Sequence, residues 1–236
     1  MILLTNSILE TNYVKITGKI VSPIEFSHEI YGEGFYNFFI EVPRLSETVD
    51  VLPVSISERL IINMELKEGT YVKIIGQLRS YNRYVNGASK LILTVFARDI
   101  ELLEDEEEIK ENLKSPNEIF LDGYICKPPV YRTTPFGREI SDLLLAVNRA
   151  YNKSDYIPCI AWGRNARFCS NILVGDHIKI WGRIQSREYQ KKLENGEVET
   201  RVAYEVSISK LEYIENDNNR LKKSKDEAQE EAVGEV

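Results

Sequence analysis

Two aromatic side chains on one strand-like segment, residues 156–162, are the best candidates for chemistry in this sequence. The odd-numbered residues of the segment are small or medium apolar side chains suited to a barrel interior: Ile157, Cys159 and Ala161. Because side chains alternate along a strand, the residues expected on the outer face are Tyr156, Pro158, Ile160 and Trp162. Rings on such a face can stack on nucleobases, which contributes about 1–3 kcal/mol per base. They can also pack against protein, the commoner role of aromatic residues on a barrel.

Enzyme chemistry is not indicated by the sequence. Its only histidines are His28 and His177, and it contains no His-Glu-x-x-His, Gly-x-x-x-x-Gly-Lys or Gly-x-Ser-x-Gly motif. We therefore expect no catalytic residue, no metal and no cofactor. Three cysteines without a Cys-x-x-Cys pair predict small core residues in a reducing cytoplasm: Cys126, Cys159 and Cys169. The first residues do not resemble a secretory signal, and no apolar run is long enough to span a membrane.

The net charge of −7 is unevenly distributed along the 236 residues. Residues 101–114 contain seven acidic and two basic side chains, whereas residues 115–215 contain 13 acidic and 14 basic ones. Binding of phosphates depends on where cations cluster, so the overall acidity does not exclude a nucleic-acid ligand.

The chain contains an internal repeat at an offset of 105 to 106 residues. Gly18–Pro23 matches Gly123–Pro128, and Gly69–Gly76 matches Gly175–Gly182. Two further blocks, 42–44 with 147–149 and 50–53 with 155–158, keep the same order and offset. We predict a duplicated domain: residues 1–103, an acidic linker at 104–116, a second copy at 117–215, and a disordered acidic tail at 216–236.

Within each copy the pattern predicts strands. Val14–Val21 and Ile119–Ile125 are short apolar segments that end at proline, and Asn86-Gly87 and Asn195-Gly196 predict hairpin turns. One short helix is expected in each copy, at Ser57–Asn63 and Arg164–Leu173. Five strands, one helix and a long final hairpin in about 100 residues predict an all-β protein of two tandem five-stranded OB-fold barrels.

The second copy resembles the bacterial single-stranded DNA-binding protein family over residues 117 to about 214. The resemblance rests on the blocks Gly123–Pro129, Leu144–Arg149, Tyr156–Gly163 and Val174–Arg187. It implies OB-folds that bind single-stranded DNA without sequence preference, in replication, recombination or repair.

The resemblance also implies which residues would bind DNA. Rings that would stack on bases are Tyr151, Tyr156, Trp162 and Tyr189. Basic side chains that would contact phosphates are Arg149, Arg164, Arg183, Arg187 and Lys191. Trp181 is expected at a packing interface instead.

The first copy lacks these rings, because Tyr151, Tyr156 and Trp162 correspond to Ser46, Val51 and Ser57. Its comparable surface set, a secondary DNA-binding site, would be Tyr81, Arg83 and Tyr84. We therefore expect the second copy to supply most of the affinity and the first to support assembly. Four OB-folds commonly act together in the family, which implies a homodimer here.

Two other functions remain open on sequence grounds. One is an OB-fold protein-interaction module, such as a primosome-type accessory protein with weak nucleic-acid binding. The other is RNA binding, because rings and phosphate contacts do not distinguish the sugars unless a 2′-hydroxyl is contacted. The acidic tail has no aromatic terminus, and its recruitment of replication or repair proteins stays a hypothesis.

Overall fold

The structure, a computed structural model, describes residues 11–46, 48–85, 88–192 and 196–215. The first half contains β1 (Asn12–Ile20), β2 (Glu25–Ile30), β3 (Glu33–Pro43), β4 (Val49–Ser57), α1 (Glu58–Ile61), β5 (Tyr71–Val85) and β6 (Ala88–Leu103). A connecting helix, α2 (Glu106–Asn112), follows. The second half contains β7 (Asn117–Ile125), β8 (Val130–Thr133), β9 (Glu139–Arg149), β10 (Lys153–Trp162), α3 (Arg164–Cys169), β11 (His177–Lys192) and β12 (Val198–Ile214).

Each half closes into a barrel of five strands, which confirms the predicted fold class. In the first barrel β1 pairs with both β3 and β5, and the ring of strands β1–β3–β4–β6–β5 is complete. The second barrel repeats this as β7–β9–β10–β12–β11. A sixth strand in each half, β2 or β8, extends the sheet beyond β3 or β9. All side chains of β2 and β8 are exposed, so no apolar alternation predicts them from the sequence.

The repeated glycines mark places where strands approach closely. A Cβ atom on Gly76 would lie 2.2 Å from the carbonyl oxygen of Phe96, and one on Gly182 would lie 2.1 Å from that of Ser207. Both positions adjoin a register shift in the final hairpin. Any larger residue would push the two strands of that hairpin apart at the bulge.

The helices lie where the sequence predicts them but are shorter. Ser57 caps α1 by accepting a hydrogen bond from the Arg59 amide at 3.2 Å, and α3 ends at Cys169. The acidic linker contains α2, whose N-cap Asp105 accepts from two backbone amides. Negative charge in the first turn of a helix is favourable, so this acidic run suits a helix start.

The two barrels are joined through their first strands. β1 and β7 run antiparallel, and Val14 pairs with Ile119, which is its own counterpart in the repeat. An approximate two-fold axis therefore passes between these two residues, and the 12 strands form one continuous sheet.

Some predictions fall outside the described residues. They are the acidic tail at 216–236, the turn residues Asn86 and Gly87, and Asn195. Within the described part of the chain, no helix is long and apolar enough to cross a membrane.

Candidate nucleic-acid interface

Strand β10 presents two rings on the outside of the second barrel. Tyr156 is 46% exposed and Trp162 is 38% exposed, whereas the three odd-numbered residues between them are buried. The predicted phase of the strand is therefore correct. At about 3.3 Å per residue, the two rings lie roughly 20 Å apart along one face.

Ile160 was expected to be open on the same face and is not, since only 3% of it is exposed. It lies between Pro158 and Trp162 on β10, opposite Asp142 on β9 and Ser207 on β12. Side chains this close on one sheet face cover each other, which accounts for the burial of Ile160. The outer face consequently offers two separate rings with a covered stretch between them.

Trp162 is held at its edge and remains accessible. Its indole nitrogen donates a hydrogen bond to Ser207 Oγ at 3.2 Å, across the parallel pair of β10 and β12. A tryptophan anchored through its N–H keeps a defined ring plane, which lowers the entropy lost when a planar ligand stacks on it.

The other two predicted rings, Tyr151 and Tyr189, lie in a turn and on β11 respectively. Tyr151 lies in the β9–β10 turn with φ of 60° and is 94% exposed. Tyr189 is half-buried near the end of β11, with the guanidinium carbon of Arg187 6.0 Å from its ring centroid. Arg187 is also paired with Glu205 at 3.3 Å, and the predicted Lys191 is exposed two residues beyond Tyr189.

The remaining arginines of the predicted site divide into two groups. Arg164 is exposed at the start of α3, and it forms no ion pair with any described residue. Arg149 and Arg183 instead face buried aspartates where the barrels meet, at 3.6 Å from Asp155 and 3.4 Å from Asp50 respectively. Their positive charge is partly neutralised there.

Asp155, next to Tyr156, is bonded to the first barrel. Its carboxylate is 1% exposed and accepts hydrogen bonds from the Ser80 amide at 2.7 Å and from Arg79 at 2.8 Å. Ser80 Oγ in turn accepts from the Tyr156 amide at 2.7 Å. Burial lowers the pKa of the Arg79 guanidinium, and the bond to Asp155 offsets part of that shift. The first barrel therefore braces the ring-bearing strand of the second.

The same arrangement recurs with the barrels exchanged. Asp50, the counterpart of Asp155, accepts from the Ser186 amide at 2.7 Å and is paired with Arg44 at 2.6 Å. Arg183 adds the weaker contact already described. We call these two groups, centred on Asp50 and Asp155, the aspartate locks; they follow the approximate two-fold axis.

The secondary set on the first barrel lies on the long β5 strand. Tyr81 is 52% exposed and Tyr84 is 79% exposed, and Arg83 is exposed between them. Because side chains alternate, Tyr81 and Arg83 share one face of β5 and Tyr84 lies on the other. The structure thus brings two of these three residues together.

A second aromatic group on the first barrel was missed in the sequence. Phe35 lies 5.9 Å from Phe96 and is stacked on His28 at 5.1 Å, and Arg98 lies 5.0 Å from the Phe96 ring. Phe96 on β6 pairs with Ser55 on β4, and Ser207 on β12 pairs with Ile160 on β10. Because Ser55 and Ile160 are equivalent in the repeat, Phe96 corresponds to Ser207, at an offset of 111. A search at the constant offset of 105 to 106 cannot align these two strands. Allowing a longer final hairpin in the second copy would have found the match.

Other chemistry is not indicated at this surface. Within the described ranges, no group of three His, Cys, Asp or Glu side chains is arranged to hold a metal ion. Cys159 and Cys169 are buried and Cys126 is half-buried, and all three thiols are free.

Comparison with known proteins is consistent with this geometry. Residues 116–214 match the Single-strand binding protein family. Single-stranded DNA-binding protein 1 of Staphylococcus aureus is 34% identical over 109 residues, which cover 43% of this chain and 63% of that protein. Single-stranded DNA-binding protein 2 of Listeria monocytogenes is 30% identical over 112 residues, covering 44% of this chain and 68% of the relative. The alignment thus spans less than two thirds of the Staphylococcus protein.

Solved structures support the fold. The wild-type single-stranded DNA binding protein from Thermus aquaticus superposes with a TM-score of 0.68 at 20% identity, covering 87% of this chain and 93% of that one. A likeness over nearly both whole chains supports two tandem OB-folds. The dimeric N-terminal domain of the PriB protein from Thermoanaerobacter tencongensis is 60% identical over 40% of this chain, but its TM-score of 0.36 is too low to compare the arrangements.

Proposed function

We infer that this chain, which belongs to the single-strand binding protein family, binds single-stranded DNA without sequence preference and protects it in replication, recombination or repair. The observation that carries the proposal is the pair of exposed rings on β10, Tyr156 and Trp162, on one barrel face. Every nucleobase has a π-face, so stacking on these rings tolerates any sequence.

Each ring and cation of this surface has a proposed role. Tyr156 and Trp162 stack bases, and Tyr151 and Tyr189 extend the surface at its two ends. Arg164, which has no ion pair within the described residues, contacts a phosphate, and the exposed Lys191 contacts another. Arg187 is shared between Glu205 and the ligand.

Arg149 and Arg183 have a double role in this proposal. Each lies more than 3 Å from its buried aspartate, at the longest distance within its lock. A phosphate that binds either guanidinium competes with the aspartate for it, and the existing ion pair is already long. We therefore propose that they add a smaller contribution than Arg164.

A binding module is favoured over an enzyme. The described carboxylates beside the arginines of this surface are held in ion pairs: Glu205 with Arg187, Asp155 with Arg149 and Asp50 with Arg183. Stacking and phosphate pairing need no bond to be made or broken. We propose that the second barrel supplies most of the affinity, with Tyr81, Arg83 and Tyr84 as a secondary set.

We further propose that the domains divide at residues 103, 116 and 215 and that two chains associate. A row of half-buried rings crosses the outer face of the central sheet: Tyr13 pairs with Phe120, and Phe120 pairs with Trp181. These rings lie on the sheet formed by β6, β5, β1, β7, β11 and β12, and we propose that two copies meet there. A homodimer with four OB-folds would work in the cytoplasm with the nucleoid.

Fluorescence titration tests the proposal, because both tryptophans lie in the second barrel. A 35-nucleotide single strand should quench the emission strongly, the affinity should fall steeply with salt, and duplex DNA or RNA should compete weakly. Absence of binding at low salt would contradict the proposal and favour a protein-interaction module. Equal competition by RNA would contradict the preference for DNA.

A further inference from the structure

The two barrels carry the same aromatic–serine pair in opposite order. In the second barrel the ring is Trp162 on β10 and its neighbour on β12 is Ser207. In the first barrel the equivalent β4 position is Ser57, and the equivalent β6 position is Phe96. The first barrel has therefore kept a ring on this part of its wall, supplied by the adjacent strand.

Phe96 belongs to a row of rings that crosses the outer wall. Phe35 pairs with Ser57 on β4, and the small serine lets Phe35 approach Phe96 to 5.9 Å between ring centroids. Phe35 is in turn stacked almost parallel on His28, at 5.1 Å and 12°. His28 belongs to β2, every residue of which is exposed.

These rings do not belong to the barrel core. Phe35 and Phe96 are absent from the buried cluster that fills the two barrels and from the half-buried residues packed on it. Phe39 lies on the same face of β3 as Phe35, and it is 41% exposed. Packing of the barrel interior thus does not account for a row of rings on its outside.

The cation Arg98 lies beside the row of rings. Arg98 occupies the bulge of β6, with its guanidinium carbon 5.0 Å from the Phe96 ring centroid. It also donates a hydrogen bond to Gln77 Oε1 at 3.4 Å. It forms no ion pair with a carboxylate in the described part of the chain. Desolvation by neighbouring atoms, and then the charge of Arg79, lowers the pKa of Arg98 although the residue is exposed. A phosphate would supply the missing counter-charge.

We propose that His28, Phe35, Phe96 and Arg98 form a second contact site for single-stranded DNA, on the first barrel. A base stacks on the solvent side of His28 and Phe35 and so extends the row of rings, while a backbone phosphate pairs with Arg98. This site rests on the proposed function of the second barrel and extends it. It becomes occupied when a strand is long enough to leave β10 and reach the first barrel.

The test uses substitutions that the second barrel already carries at equivalent positions. Ile140 corresponds to Phe35, and Ser209 occupies the bulge that corresponds to Arg98. Phe35→Ile combined with Arg98→Ser should therefore preserve the fold. Lys67→Ser, an exposed charge removed from the same barrel outside the ring row, is the matched control.

Binding of oligo-dT of 12 and of 35 nucleotides to the full chain is then compared by anisotropy of a labelled strand. The double variant should bind the 12-mer within about twofold of the unsubstituted chain and the 35-mer about tenfold more weakly. Its salt slope for the 35-mer should fall by about 0.7, the value for one lost phosphate contact, and Lys67→Ser should change neither affinity.

Two results would overturn the proposal: unchanged binding of the 35-mer, or equal weakening for both lengths. If the unsubstituted chain binds neither oligonucleotide, the proposed function itself fails, which is a different result.

An independent readout uses a Phe35→Trp reporter with both native tryptophans changed to Phe. The 35-mer should quench its emission, and absence of quenching under saturating 35-mer would contradict contact with the first barrel.

Discussion

At the scale of single residues, Trp162 is the ring whose geometry best suits a stacked base. It is anchored by one hydrogen bond, keeps 38% of its surface exposed and lies two residues before Arg164, which forms no ion pair with any described residue. We expect Trp162→Ala to weaken binding of single-stranded DNA by roughly 10- to 100-fold, because one stacking contact of about 1–3 kcal/mol is lost. Anisotropy of a labelled oligonucleotide measures this directly.

The conservative variant separates stacking from folding. Trp162→Phe keeps a ring and loses only the bond to Ser207, so it should retain affinity within about fivefold while unfolding near the same temperature. If alanine and phenylalanine weaken binding equally, the ring does not stack on a base.

The cysteines give a second prediction at this scale. Burial raises the pKa of Cys169 to about 12, and burial also raises the pKa of Cys159 and of Cys126. Because the thiolate is the reactive form, a raised pKa leaves little of it at pH 8. We expect Ellman's reagent to label the native protein slowly, at Cys126 first, and to label all three thiols rapidly in denaturant. Rapid labelling of two thiols in the native protein would contradict the buried placement.

At the scale of elements, the aspartate locks connect strands of different barrels. Asp155→Ala leaves the Ser80 amide and Arg79 without their buried acceptor, and removing one partner of a buried charge pair costs about 3–5 kcal/mol. We expect urea unfolding to show a loss of that size, together with weaker binding of DNA because the Tyr156 strand loses its brace.

A matched control is the exposed pair on α2. Lys110 lies 2.9 Å from Glu107 and its side chain is 62% exposed, so Lys110→Ala should cost less than about 0.5 kcal/mol. A loss below about 1 kcal/mol for Asp155→Ala would mean that the barrels are held mainly by the pairing of β1 with β7. Asp50→Ala tests the symmetric lock in the same way.

At the scale of the whole molecule, the tandem barrels resemble a dimer folded from one chain. The β1–β7 pairing places its two-fold axis at Val14 and Ile119 and leaves a broad sheet face with Trp181 against Phe120. We expect sedimentation to give a mass twice the 27.2 kDa of one chain. Trp181→Glu should shift it to one chain, because a charge replaces an aromatic ring that packs on Phe120 on that face.

The control for assembly is the variant already described. Trp162→Ala lies on the proposed DNA-binding face, away from the central sheet, and should leave the mass unchanged. A single-chain mass for the unsubstituted protein, or a two-chain mass for Trp181→Glu, would contradict association through this face.

Local patterns were enough to predict much of this protein. The repeat, the β-barrel class and the outward phase of Tyr156 and Trp162 follow from spacings of two residues or from blocks matched at one offset. Alternation and turn signals depend on neighbouring residues, so a linear sequence contains them. The exposed strands β2 and β8 have no buried face, and for that reason the same signal could not predict them.

The sequence by itself therefore determined that there are two barrels and which strand of the second presents its rings. Only the tertiary structure decided how the barrels lock and where the first keeps its own rings. Asp155 meets Ser80 across 75 residues and Asp50 meets Ser186 across 136, and no local pattern encodes contacts that form only after two closed barrels dock. Phe35 and Phe96 likewise become neighbours only when β3 pairs with β4 and β4 pairs in parallel with β6.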